Sequence, residues 1–199
     1  MPVDASKVLV GTPDQLTTGA ILCAPLGTDI PTLEDIKPSG VTLDEAFVDT
    51  GYANEDGITL TPDMSTEGIK EWGGAVVRQV LEEFNGTIEF TLIQTDEAAF
   101  RMAFGDDYVT AQEATAEHGN QLMAKLGAHL PESKVWVFKM KDGAARMLIV
   151  VPNGQVTTID EATFNSTDPV GWAISVSCYP DSTGTAIYIL TDDGQVATA

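Results

Sequence analysis

Alternation of apolar and polar positions with a period of two dominates the chain. Ile88, Phe90 and Leu92 share one face and Thr87, Glu89 and Thr91 the other, which predicts a half-buried strand over 88–95. Residues 134–141 place Trp136, Phe138 and Met140 together; Asp142-Gly143 then supplies a turn, and 145–151 returns as a nearly continuous apolar strand. The clearest alternation sets Trp172, Ile174, Val176 and Cys178 against Ala173, Ser175, Ser177 and Tyr179. Asn153-Gly154 leads into a strand over 155–164, and a turn at 181–184 leads into another over 185–191. Upstream, 41–48 reads as a short strand. Residues 75–83 read as the first arm of a hairpin with 88–95, turning near Asn85-Gly86. Its alternation is poor: Val76 and Val80 fall with Arg78 and Glu82, and Val77 and Leu81 with Gln79 and Glu83. Two such faces are expected where an oligomer covers both sides of a strand.

One segment has helical character. Thr95 or Asp96 can cap its N-terminus, Glu97 puts negative charge in the first turn, and Gly105 stops it, which predicts a helix over 96–104. Phe100 and Phe104, four apart, are expected to dock it on the sheet. The first 40 residues are rich in Gly, Pro and Thr, a spacing that prevents a long helix and predicts an extended arm over a surface. Residues 51–74 carry the turn signals Asn54-Glu55-Asp56-Gly57 and Thr61-Pro62-Asp63 and read as a long polar loop or distorted hairpin. The expected fold is mainly β, a β-sandwich or barrel with one flanking α-helix, an N-terminal arm over 1–40 and one domain over 41–199.

Composition narrows the function. Thirty Asp and Glu against ten Lys and Arg give a formal net charge of −20, which opposes a general nucleic-acid or anionic-membrane binder. The apolar runs 20–26 and 147–151 fall far short of the ~20 residues that span a bilayer. The start, Met1–Lys7 with its early Asp4, lacks a basic region followed by an apolar one, so a soluble, unprocessed chain is expected. Cys23 and Cys178 are far apart in sequence; a disulfide stays open, and Cys178, within an alternating strand, reads as a small buried hydrophobe. His118 and His129 make no short metal-binding pair. No Gly-x-Ser-x-Gly elbow, Walker loop or dinucleotide glycine fingerprint occurs, and Asn54-Glu55-Asp56-Gly57 and Asp192-Asp193-Gly194 lack the ladder of a calcium loop. No cofactor, metal or catalytic site is expected.

Several segments, in order, resemble the major tail tube subunit of long, flexible-tailed bacteriophages, especially those of actinobacteria. They are the run from Gly19 to Thr32, Gly51-Tyr52-Ala53-Asn54-Glu55-Asp56-Gly57-Ile58, Trp72-Gly73-Gly74, Phe90-Thr91-Leu92-Ile93-Gln94-Thr95, Gly154-Gln155-Val156-Thr157-Thr158-Ile159, Val170-Gly171-Trp172 and Cys178-Tyr179-Pro180-Asp181. The resemblance implies a self-assembling virion protein: hexameric rings whose sheets join around a lumen, stacked into a tube through which double-stranded DNA passes without tight binding. It also implies tape measure and tail terminator or tip proteins as partners, and assembly in the host cytoplasm. Residues 51–74 would connect subunits or rings, with Tyr52, Glu55, Asp56, Ile58, Leu60, Met64, Ile69 and Trp72 as contact candidates. An acidic wall would keep DNA from sticking. Glu89, opposite an apolar face, is the first candidate for it, followed by Glu82, Glu83, Asp160 and Glu161. The alternatives are a monomeric β-sandwich binding or decoration module of a virion and a secreted carbohydrate-active enzyme.

Overall fold

The computed structural model describes residues 7–15 and 19–197. The opening stretch read for a leader falls largely on 1–6, outside the described residues, as do part of the expected arm at 16–18 and the end of the tail at 198–199.

The centre of the molecule is the hairpin written around Asp142-Gly143. Its strands, β10 (Lys134–Asp142) and β11 (Ala145–Ile159), pair Phe138 with Ile149 and Lys141 with Arg146. Gly143 takes φ +59°, a left-handed conformation that costs glycine nothing. Both strands are buried on two sides, which explains their nearly unbroken apolar sequence. On one edge β10 pairs in succession with β1 (Thr12–Pro13) and β2 (Ile21–Pro25). On the other edge, the first half of β11 pairs with β13 (Tyr188–Asp192) and the second half with β12 (Trp172–Cys178). The sheet therefore forks along β11. It continues from β12 to β7 (Val76–Leu92) and ends at β6 (Ala53–Lys70). The nine-stranded order is open at both ends, so the β-sandwich expectation holds and the sheet does not close on itself. Short β3 (Ile36–Lys37) and β4 (Gly40–Val41) pair with each other, β5 (Val48–Asp49) pairs β2, and β8 (Val109–Gln112) pairs β9 (Gln121–Ala124).

Two cores lie on opposite faces of the central hairpin. The larger collects Ile88, Phe90, Leu92, Trp136, Phe138, Val151, Ile174 and Val176 under the helix. Phe90 tilts against Trp136 and Phe138 with ring centroids 5.8 and 5.7 Å apart. Each such side chain, once fully buried, contributes about 1.5–3 kcal/mol. The smaller core holds Val137, Leu148, Val150 and Leu190 beneath Ile36, Val41 and Phe47. Helix α1 (Glu97–Phe104) forms as its sequence predicts: Asp96 caps it, its carboxylate accepting from the Ala99 N–H at 2.8 Å, and Gly105 ends it. Ala99, Met102, Ala103 and Phe104 are buried, and Phe100 and Phe104 meet Trp172 edge-on at 5.2 and 5.5 Å.

Five expectations are corrected. Residues 51–74 do not form a loop: Ala53–Lys70 is an 18-residue strand whose turn lies at the Trp72 end. The expected reversal at Asn85-Gly86 is absent, because β7 runs straight through it for 17 residues. Gly86 is there for close approach, since a Cβ would stand 2.7 Å from the Ile187 Cδ1. Asn153-Gly154 is likewise internal to β11. A Cβ at Gly154 would meet Trp136 at 2.6 Å, and the Gly154 carbonyl accepts the Trp136 indole N–H at 3.0 Å. Finally, Ile21–Ala24 is core strand rather than surface arm, and 41–48 is irregular apart from its ends.

Candidate assembly surface

β6 and β7 form an antiparallel pair that runs from Ile58–Phe90 outward, through Leu60–Ile88 and Met64–Phe84, to Lys70–Val76, with register shifts between Ser65 and Thr66 and between Ile69 and Lys70. Directly opposed residues share a face, so each face can be followed outward. The core face passes from Phe90, Ile58, Ile88 and Leu60 to Pro62–Gly86, Met64–Phe84 and Thr66–Leu81. Burial ends part-way along it. Ile88 is wholly buried and Ile58 and Leu60 pack against the larger core, whereas Met64 is 65% and Leu81 58% exposed. The opposite face carries Thr59–Glu89, Asp63–Asn85 and Ser65–Glu83, then Glu67–Val80 and Ile69–Arg78. The outer hairpin thus presents apolar side chains on both faces: Met64, Leu81 and Phe84 on one, Ile69 and Val80 on the other. At its tip, Gly74 at φ +90° turns the chain, and Trp72 is fully exposed.

The two turn signals of this segment have other uses. Between the Ala53–Leu92 and Ile58–Phe90 pairs the register slips, so Asn54-Glu55-Asp56-Gly57 bulges out of β6 instead of reversing the chain. Pro62, which has no N–H to give, is tolerated because β6 is an edge strand. The Asn54 side-chain N–H donates to the Asp56 carboxylate at 2.6 Å, while its Oδ1 is buried without a partner.

The bulge separates two depressions. The larger, about 540 Å³, lies between it and the chain near Gly11–Gln15, with Ile58, Ile93, Phe138 and Met140 among its apolar walls and Lys139 beside them. Burial lowers the Lys139 pKa, opposed by the Asp14 and Asp49 carboxylates. The smaller, about 210 Å³, lies on the polar face, where Asn54, Asp56, Glu89 and Asp160 converge with Thr59 and Ser175.

The candidates from the sequence therefore separate into groups. Glu89 and Asp160 come together, joined by Asp56, which had been assigned to subunit contacts. Glu82 and Glu83 lie far out on the hairpin, accepting from Ser65 and Asn85 at 3.0 and 3.1 Å. Glu161 lies beyond the end of β11 and outside that depression. Tyr52 is exposed at the root of β6, with Glu55 exposed in the bulge. Ile58 and Leu60 belong to the body, whereas Met64, Ile69 and Trp72 belong to the free hairpin. Val76, Val77, Leu81 and Phe84 were not among the candidates, although the poor alternation over 75–83 was their signal.

The outer hairpin thus projects from the body with apolar side chains exposed on both faces. A model of the family described as phage tail tube protein matches residues 1–199. The chain belongs to the phage tail tube protein family. It is a structural protein of a phage tail, hence a virion component that assembles with other tail proteins. No curated protein matches this tail tube protein. Among solved structures it is similar to a chain of the cryo-EM structure of the anti-feeding prophage cap (AFP tube terminating cap), with 12% identity and a TM-score of 0.45, covering 96% of this chain and 100% of that one. That likeness is too slight to carry any argument. Among the described residues of the tail tube protein, no helix is long and apolar enough to cross a membrane.

Proposed function

We propose that this tail tube protein self-assembles into hexameric rings that stack into the tube of a long, flexible-tailed phage of the actinobacterial type. The tube would deliver the double-stranded DNA genome, with a tape measure protein inside and terminator and tip proteins at its ends. The observation that carries the reading is the outer hairpin. A monomer gains nothing from exposing Met64, Ile69, Trp72, Leu81 and Phe84 on one projecting element, whereas a neighbouring subunit removes that apolar surface from water. Strands paired on one side only among the described residues, β5 and β6 at the two ends of the main order, support it, since an open edge invites another strand.

The polar face around Glu89, Asp160 and Asp56 is our choice for the channel wall, with Glu82, Glu83 and Glu161 as further acidic positions. A basic channel would bind successive phosphates and release their counterions; an acidic one leaves DNA free to move. Negative-stain microscopy of the purified protein across a concentration series tests the assembly. Rings or tubes are expected, and discrete monomers at every concentration would overturn the proposal.

A further inference from the structure

We infer that residues 7–15 form a strap over one edge of β10, fastened by the Asp14 carboxylate, that opens as a unit while the body stays folded. This does not depend on the assembly reading. Between 7 and 15, Asp14 alone is buried; Leu9 is half-buried, and Val8, Val10, Thr12 and Pro13 are exposed. No residue of the segment belongs to either core.

Ladder bonding adds little. β1 supplies two residue pairs, Thr12–Lys141 and Pro13–Met140, and Pro13 has no N–H to donate. The Asp14 N–H donates to the Lys139 carbonyl at 3.1 Å. The Val10 N–H donates to the Asp142 carboxylate at 3.1 Å, but that bond is exposed and water competes for it. Charge makes up the difference: Asp14 Oδ1 stands 3.2 Å from Lys141 Nζ, and Oδ2 stands 3.4 Å from Arg146 Nε.

Such a fastening releases at low cost. Burying an ion pair costs nearly what its attraction returns, and the partners regain hydration when the segment lifts. The Lys141 side chain is already 23% exposed. Arg146 keeps the carbonyl oxygens of Gly143, Ala145 and Pro38 as acceptors, at 2.9, 3.2 and 2.9 Å. An apolar anchor would instead leave hydrocarbon in water. Lifting the strap uncovers the β10 edge beyond Phe138–Ile21, where registered pairing with β2 ends, and takes Gly11, Pro13 and Gln15 out of the wall of the larger depression. Covering a sheet edge with a short segment denies it to other strands, so the strap is an edge guard.

Amide hydrogen exchange of the full chain, read residue by residue by NMR at dilute protein, tests this. In the wild type the Val10 and Asp14 amides should be protected at least ~100-fold less than those of Val137 and Val150 in the central hairpin. Asp14→Asn keeps the shape and removes the charge; it should lower protection at positions 10 and 14 a further ~10-fold and leave Val137 and Val150 as they were. Leu9→Ala should change it less than ~3-fold. Because Asp14→Asn leaves Arg146 without its counter-charge, the double variant Asp14→Asn/Arg146→Met is measured beside it, and it should release the strap equally with the body fully protected. Wild-type Val10 and Asp14 amides protected as strongly as the central hairpin, loss of body protection in both Asp14 variants, or equal release by Leu9→Ala would each overturn the strap.

Discussion

Shortening the hairpin should separate folding from assembly, and the structure says where to cut. Asp63 and Asn85 are directly paired, so replacing 64–84 by Asn-Gly closes a two-residue turn in register. The removed segment contains Met64, Trp72, Leu81 and Phe84, none of which belongs to either core. The stability of the monomer should therefore change by no more than ~1 kcal/mol. Removing all of 51–74 is a different perturbation. It takes away Ile58 and Leu60, which pack on the larger core, and uncovers the β7 edge beside Ile88 and Phe90. Half-burial of two aliphatic side chains and partial exposure of two more should cost ~3–6 kcal/mol, from a domain total of ~5–15 kcal/mol. At a urea slope of ~2 kcal/mol per M, the long deletion should lower the unfolding midpoint by ~1.5–3 M and the short one by less than ~0.5 M. Both are measured by circular dichroism at dilute protein, and assembly is followed by sedimentation. The short variant should stay monomeric at concentrations where the full chain assembles. Equal midpoint shifts would refute the division into body and free hairpin. Normal tubes from the short variant would refute the hairpin's role in assembly.

Other expectations are narrower. Gly154→Ala places a Cβ 2.6 Å from Trp136 and 2.8 Å from Val176, both fully enclosed, so a loss of ~2–4 kcal/mol is expected in thermal or urea unfolding, while Gly119→Ala, in open space, should change nothing. Burial pushes the Cys23 thiol up to about 11 and Cys178 up to about 12, so neither should react with a thiol reagent at pH 8 until urea unfolds the chain. The Asp181 carboxyl is held low by the Tyr188 hydroxyl first, then by Thr183 and backbone N–H groups. Its contribution to stability should be complete above the ordinary aspartate value of about 3.9 and fade as pH falls through its lower folded value; Tyr188→Phe should raise that value in a carboxyl NMR titration. Phage carrying Glu89→Lys throughout the tail should fold normally yet eject DNA more slowly, more so at low salt than at high; unchanged ejection at every salt concentration removes Glu89 from the channel wall.

Where a residue had one local physical use, the sequence could be read directly. Asp96, Glu97 and Gly105 bound the helix because capping is settled within a single turn. Asp142-Gly143 marks the central hairpin because only a left-handed residue closes it tightly. Glycine misleads where its use is tertiary: Gly86 and Gly154 follow asparagine as turn glycines do, but they make room for Ile187 and Trp136, which no neighbouring residue announces. β6 escaped recognition because its outer half is exposed on both faces, leaving no period-two pattern; pairing with β7 holds it extended. For the assembly surface, Trp72 and the uneven 75–83 segment were visible in the sequence. The depression beside Asn54 was not, because its walls come from the N-terminal segment, β6, β10 and the end of β7.

One strand, β6, runs from the folded body at Ile58 to the exposed turn at Trp72, and this makes it a gauge. From Ile58 to Lys70 the strand spans ~40 Å at ~3.3 Å per residue. Whatever covers the exposed tip in an assembly therefore stands about that far from the body. Inserting two residues into each arm would lengthen this reach by ~6.6 Å and keep every side chain on its face. Inserting one would turn Trp72 to the opposite face. The reach of the subunit is thus written in the length of a single strand.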